Sequence, residues 1–381
     1  MKGTRSYPVG SGTYSKHPDR YPEGAPRIVT WAEGAWVGDD LRFADGLVDL
    51  TSSMGAVILG HDYPAVTDAI LHQLGEGIAF PLPTHLEQQV ADRLLSLLTW
   101  KKAESVRFGK NGADVTTSAV RLARAVTGRP RVLYCDYAGH HDWSMQSPPW
   151  NGGVAVEELL SQKVDREDLL REVCTRVNLH HPAAVVLEVY PSAPGDHAAV
   201  DWAELRRACS EVGTLLILDE MVTGFRCAPG GAAELSGIEP DLACYGKAMA
   251  NGMPLSAVVG PYDILKRYEE DVFFSLTHAG EALSLAAANA TMRVVKEQNV
   301  PSALASLGYE IYKVFEEHGA SHRVRLGYPQ RLLFDFTRDE LGILLQNGVL
   351  CSGFANLTLA HCEDAEARRT ILDAFRAVLS A

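Results

Sequence analysis

Between about residue 100 and residue 260 the chain alternates short apolar runs with amphipathic stretches. That alternation is the pattern of a mainly parallel sheet flanked by helices. It places strands at Ser105 to Phe108, Arg131 to Cys135, Ala183 to Val189, Leu215 to Leu218 and Asp241 to Tyr245. Between the first two, Val115, Ala119, Leu122, Ala123 and Val126 recur on one face at the helical period, and Gly128 stops the helix. Arg124 and Arg129 fall on its other side and read as solvated.

The two ends of the chain carry a different pattern. Ile28 to Trp31 and Ala35 to Val37, with Gly34 and Gly38 among polar turns, read as a small hairpin outside the central sheet. From Thr291 onward, helices at Leu304 to Phe315 and Glu366 to Leu379 with a strand at Arg331 to Phe336 predict a small α+β lobe. The expected division is an arm over 1–45, a large domain over 46–290 and a small, shortened domain over 291–381.

Composition narrows the class. With 46% hydrophobic and 22% charged residues in 381, a large buried core is expected and disorder is disfavoured. The 35 Lys+Arg against 48 Asp+Glu leave a net charge of −13, and without a basic run a nucleic-acid surface is disfavoured. Met1 to Tyr14 lacks the apolar middle of a secretory leader, and no apolar run approaches the ~18 residues of a membrane span. A cytoplasmic protein is expected. Seven cysteines, odd in number and without a CxxC pair, read as free thiols rather than disulfides or structural zinc.

In open parallel sheets, ligands lie beyond the carboxyl ends of the strands. Those ends here carry Asn111-Gly112-Ala113, Tyr137, Glu188, Asp219-Glu220 and Gly246-Lys247. Asn111-Gly112-Ala113 opens a helix, where backbone N–H groups and the helix dipole attract a phosphate, although taken alone an ordinary Asn cap with a glycine turn is the better reading. Asp219, carried out of an apolar strand, needs a cationic partner, and a protonated pyridine nitrogen would supply one. One acid of the Asp219-Glu220 pair can be structural. Lys247, set among small uncharged residues, reads as a partly desolvated nucleophile toward carbonyls. Tyr137 could stack a flat ring. The adjacent His140-His141-Asp142 point apart, so no metal site is expected.

Together these residues resemble the class III, fold-type I pyridoxal-phosphate-dependent aminotransferases, in the branch of glutamate-1-semialdehyde aminomutase. The resemblance spans nearly the whole chain. Its most specific part is Asp219-Glu220-Met221-Val222-Thr223-Gly224-Phe225-Arg226 followed, after the next strand, by Gly246-Lys247. It implies a mainly parallel seven-stranded sheet in the large domain and a small α+β domain from the two chain ends. It also implies that Lys247 carries pyridoxal 5'-phosphate as an internal aldimine and that Asp219 bonds the ring nitrogen. Asn111, Gly112 and Ala113 would hold the phosphate, Tyr137 and Met221 would flank the ring, and Glu188 would lie nearby. Thr277 would reach the phosphate from the second subunit of a homodimer. Candidate substrate residues are His17, Ser53 and His140.

This sequence departs from the family pattern at Ala113, where a hydroxyl residue is usual, and at Tyr137-Ala138-Gly139, where Tyr-His-Gly is common. His17 stands nearest to the aminomutase's substrate arginine. The chain also runs from Phe336-Thr337 to Asp339-Glu340 roughly twenty residues sooner than its relatives. Three functions follow: transamination between an amino acid and an aldehyde or ketone, isomerisation or decarboxylation on the same cofactor, or a silent homologue that binds without catalysis. The last is disfavoured, because a silent protein has no need of Lys247 and Asp219.

Overall fold

The computed structural model describes residues 6, 10–39, 41–145, 151–154, 160–174, 181–190 and 200–381. Of the stretch read for a leader, residues 1–5 and 7–9 therefore lie outside the described residues. The chain divides into two compact units, Met1–Asp68 with Glu297–Ala381, and Ala69–Lys296.

The larger unit is built on a seven-stranded sheet in the order Ser105–Gly109, Ser256–Gly260, Leu242–Tyr245, Leu215–Glu220, Ala184–Leu187, Val132–Tyr134, Ser161–Lys163. Ser256–Gly260 runs antiparallel to both neighbours, and the remaining pairings are parallel. All five strands read from the sequence are present. Ser161–Lys163 was not read because it is a three-residue edge strand with Gln162 and Lys163 exposed. Ser256–Gly260 follows its neighbour too closely for a parallel crossover, so it returns antiparallel. The helix Gly112–Thr127 buries Val115, Ala119, Leu122 and Ala123, while Val126 in its last turn is exposed. Gly128, at φ +66°, supplies the left-handed residue that ends it. Its apolar face packs on Val132, Val186, Ile217, Cys244 and Val258 of the sheet. Arg124 and Arg129 are not simply solvated. Arg124 donates to the Pro130 carbonyl at 2.8 Å, and Arg129 to that of Gly213 at 3.3 Å.

The smaller unit contains a four-stranded sheet, Trp31–Glu33, Trp36–Gly38, Leu47–Asp49 and Val349–Leu350 in that order, and a three-stranded one, Val324–Tyr328, Arg331–Phe334 and Phe354–Asn356. The N-terminal hairpin exists, but its first strand begins at Trp31, and Ile28 and Val29 are exposed outside it. Pairing of Glu33 with Trp36 leaves Gly34-Ala35 as a two-residue turn, which Gly34 permits with φ +54°. Leu47–Asp49 pairs in parallel with Val349–Leu350, so this stretch folds with the C-terminal segment, and the observed division falls after Asp68. The strand read as Arg331 to Phe336 ends at Phe334 because Thr337 caps the helix Arg338–Gln346. The Glu340 carboxylate accepts the Thr337 N–H at 2.8 Å, closing a capping box. Among the described residues no helix is long and apolar enough to cross a membrane.

Candidate active site

The strand register sets the centre of the site. Asp219 pairs with Cys244 and Glu220 with Tyr245, so the ends of Leu215–Glu220 and Leu242–Tyr245 lie side by side and carry Asp219 next to the chain that leads into Lys247. The two acids then separate by role. Glu220 accepts from the Thr223 hydroxyl and from the Ala232 and Ala233 N–H groups at 2.9 and 2.8 Å, capping the turn Ala232–Ser236. Burial pushes its carboxyl up to about 7. Asp219 makes fewer bonds. It is 5% exposed, its Oδ1 accepts the Met221 N–H at 2.9 Å, and among the described residues no cationic side chain hydrogen-bonds it. Burial pushes its carboxyl up to about 6; the Met221 N–H and the Lys247 charge oppose this, and Asp136 adds to it.

Lys247 begins a short turn, Lys247–Ala250, whose next three residues are buried. Its φ of +44° is the left-handed region for a non-glycine residue, a conformation that costs about 1–3 kcal/mol and concentrates at functional sites. Met221 is wedged beside it. A Cβ on Gly112 or on Gly246 would approach the Met221 Sδ to 2.8 Å, so the thioether fits only because both positions are glycine.

Asn111 caps the helix Gly112–Thr127, with the Asp114 carboxylate accepting its N–H at 2.7 Å. Ala113 is buried. The Tyr137 loop lies directly on this helix start: the Thr116 hydroxyl donates to the Ala138 carbonyl at 3.2 Å, and a Cβ on Gly139 would meet the Ala113 Cα at 3.2 Å. Tyr137 itself is 58% exposed, and burial together with the Asp219 charge raises its phenol. Glu188 is buried just past Ala184–Leu187. The structure thus brings Asn111, Gly112, Ala113, Tyr137, Met221, Asp219 and Lys247 to the carboxyl ends of four strands along one edge of the sheet. A phosphorylated pyridine fits them: a helix start with a glycine for the phosphate, an exposed aromatic face, and a buried carboxylate lacking a cationic hydrogen-bond partner.

Other candidates lie elsewhere. Thr277 is exposed and lines a cavity of about 570 Å³ with Phe80, Leu82 and Phe274, to which neither Asp219 nor Lys247 contributes. His140 is exposed and meets His141 edge-on, with ring centroids 4.9 Å apart, while His141 contacts the Thr117 hydroxyl at 2.7 Å. In the smaller unit the His17 ring accepts the Asp19 N–H at 3.2 Å, capping its own turn. Its neighbour Lys16, which sequence reasoning passed over, donates to the Ser53 hydroxyl at 2.8 Å. Both line a cavity of about 310 Å³ with Tyr21, Arg27, Met54 and His61. Ser52, Ser53 and Met54 there hold φ values of +46°, +51° and +61°, a strained run that composition does not announce.

The family model "Aminotransferase class-III" matches residues 20–147 and 154–326. The chain is 32% identical over 367 residues, 93% of its length and 91% of the relative's, to the 2'-deamino-2'-hydroxyneamine transaminase of Streptomyces kanamyceticus. It is 34% identical over 313 residues to the glutamate-1-semialdehyde 2,1-aminomutase of Laribacter hongkongensis, covering 74% of this chain and 70% of that one. Among solved structures, the PLP internal aldimine form of the Sphingopyxis sp. MTA144 FumI protein matches with a TM-score of 0.84 and 26% identity, over 97% of this chain and 92% of that chain.

Proposed function

The chain belongs to the class-III aminotransferases, and from that premise we propose that Lys247 and Asp219 are the catalytic residues of a pyridoxal-phosphate-dependent transaminase working between an amino acid donor and an aldehyde or ketone. The observation that carries the assignment is the buried Asp219, without a cationic hydrogen-bond partner and within the electrostatic reach of Lys247. When bound, the cofactor supplies an electron sink for the substrate α-carbon. Lys247 would hold the cofactor covalently, and its amine, when free, would be the base placed to carry a proton at the substrate α-carbon. Asp219 keeps a proton on the ring nitrogen. The N–H groups of Gly112 and Ala113, with Asn111, take the phosphate at the positive end of their helix. Tyr137 and Met221 would flank the ring, with Glu188 nearby; His140 is the candidate substrate residue of this unit, and His17 and Ser53 are those of the other.

We read the enzyme as a cytoplasmic homodimer in which Thr277 completes the partner's phosphate site. Exposure of Phe80 at 45%, Leu82 at 76% and Phe273 at 74% supports a subunit interface around Thr277. The test is the absorbance spectrum of the purified protein with added donors. A visible band that is missing in Lys247→Ala, is lost with an amino donor from a panel that includes the compound named in the S. kanamyceticus relative, and is restored by an aldehyde or ketone acceptor, is the expected result. A wild-type spectrum identical to that of Lys247→Ala overturns the reading. The aminomutase relative favours one second reading, isomerisation; a product carrying its amino group on a neighbouring carbon, with no second substrate consumed, would establish it.

A further inference from the structure

The loop that carries Tyr137 starts from a residue that transamination does not explain. Asp136 stands at φ +61°, in the left-handed region. Its side chain is 5% exposed and pairs with that of Arg166, also 5% exposed. Arg166 Nη2 donates to Asp136 Oδ2 at 2.5 Å, and Nε donates to the same oxygen at 3.2 Å. The guanidinium also reaches the main chain of the next strand end, with Nη2 donating to the Glu188 carbonyl at 2.5 Å and Nη1 to that of Val189 at 3.3 Å. One buried side chain therefore ties together the ends of two paired strands, Val132–Tyr134 and Ala184–Leu187, where Tyr137 and Glu188 emerge.

A buried ion pair adds little net stability, because desolvation offsets the attraction, and apolar side chains would hold two strand ends as well. What apolar side chains could not do is balance charge. The Asp136 carboxylate is felt at Asp219, whose own carboxyl it helps to push up. Without the Arg166 charge against it, it would place a second negative charge beside the ring-nitrogen site.

We propose that Arg166 is a positioning residue for the cofactor ring, fixing the backbone from which Tyr137 is presented and neutralising Asp136 beside Asp219. The proposal rests on the cofactor reading above and names a residue for which that reading has no role. Arg166 touches no reacting atom; it acts through Asp136 and the Glu188 main chain.

The test compares wild type, Arg166→Met, and the double variant Asp136→Asn with Arg166→Met, which removes both charges together. Two readouts do not depend on turnover: the dissociation constant for pyridoxal phosphate from protein fluorescence, and the pH at which the visible band converts. Arg166→Met is expected to weaken cofactor binding about tenfold and to move the conversion upward by about half a pH unit, since an extra negative charge favours the protonated form. The double variant is expected to return the conversion pH to the wild-type value while binding stays about tenfold weak, because charge balance is restored and positioning is not. If Arg166→Met does not fold, the double variant's binding decides. Values within twofold of wild type, with only a lower melting temperature, overturn the proposal. A wild type without a Lys247-dependent band overturns the cofactor reading and this proposal with it, whereas a normal band with unchanged variants overturns this proposal alone.

Discussion

Met221 is held between two glycines, one that opens the helix Gly112–Thr127 and one that precedes Lys247, and a side chain at either would meet its sulfur. Gly112→Ala is therefore expected to displace Met221 from the ring face and raise the dissociation constant for pyridoxal phosphate about tenfold, ~1.4 kcal/mol. Pairing it with Met221→Ala should recover part of the loss; equal affinities for wild type and Gly112→Ala would refute the wedge. Asp219 gives a pH signature. In the cofactor-free protein its carboxyl stands near 6, above the ordinary 3.8, so between about pH 4 and 6 the folded state binds more protons than the unfolded one. Stability then falls as pH rises through that window. Asp219→Asn removes its own share of this dependence and leaves that of Glu220, whose carboxyl stands at about 7, and the cofactor-free variant should melt above wild type at pH 7 by on the order of 2–4 °C, while activity drops about a hundredfold or more. Melting curves of both proteins at pH 4 and 7 check it, and a parallel pair of curves would remove Asp219 as a buried, uncompensated acid. The placement of Asp219 and Lys247 at strand ends was legible in the sequence, because Asp219 closes one apolar run and Lys247 follows the next across Gly246. Arg166 was not, because it reaches Asp136 across thirty residues of chain, and Lys16 was not, because its partner Ser53 is set by a strained backbone.

At the level of elements, legibility followed the strength of the local pattern. The helix Gly112–Thr127 showed itself through a five-residue apolar face, four of whose members are buried, and a terminal glycine, and the buried parallel strands through uninterrupted apolar runs. Ser161–Lys163 has no such run, and the N-terminal hairpin was misplaced because Ile28 and Val29 look like strand residues but are left exposed by the turn at Gly34-Ala35. Contacts between elements were beyond any periodicity. Gly308, in the helix Val300–Glu317, is an example: a Cβ there would lie 1.8 Å from the Pro329 carbonyl oxygen, which is backbone and cannot rotate away. Gly308→Ala must move the helix or the turn and is expected to cost about 1–3 kcal/mol, the usual penalty of overpacking. Urea denaturation should show an earlier midpoint, while turnover per folded molecule is kept. An unchanged midpoint would mean that helix and turn separate freely.

For the whole molecule, the question is whether one copy of the chain holds a complete site. Thr277 is exposed, lines a cavity to which neither Asp219 nor Lys247 contributes, and lies on a surface with Leu82 and Phe273 largely open to solvent. If the partner's Thr277 completes each site, two defective chains can repair one another. Lys247→Ala lacks the amine but presents an intact Thr277, and Thr277→Arg retains the amine but presents a bulky cation to its partner's phosphate site. Each homodimer should be nearly inactive. After unfolding and refolding as an equimolar mixture, half of the dimers are hybrids with one whole site in two, so activity should return to about a quarter of wild type, as expected of an isologous pair. Sites confined to one chain would leave the Lys247→Ala copies dead and the Thr277→Arg copies no better after mixing. Leu82→Glu adds an independent arm, since a charge on that surface should lower the dimer's sedimentation coefficient toward the monomer's and weaken cofactor retention in the same samples. A monomeric Leu82→Glu protein that keeps its cofactor with wild-type affinity would separate Thr277 from the phosphate and leave each chain self-sufficient.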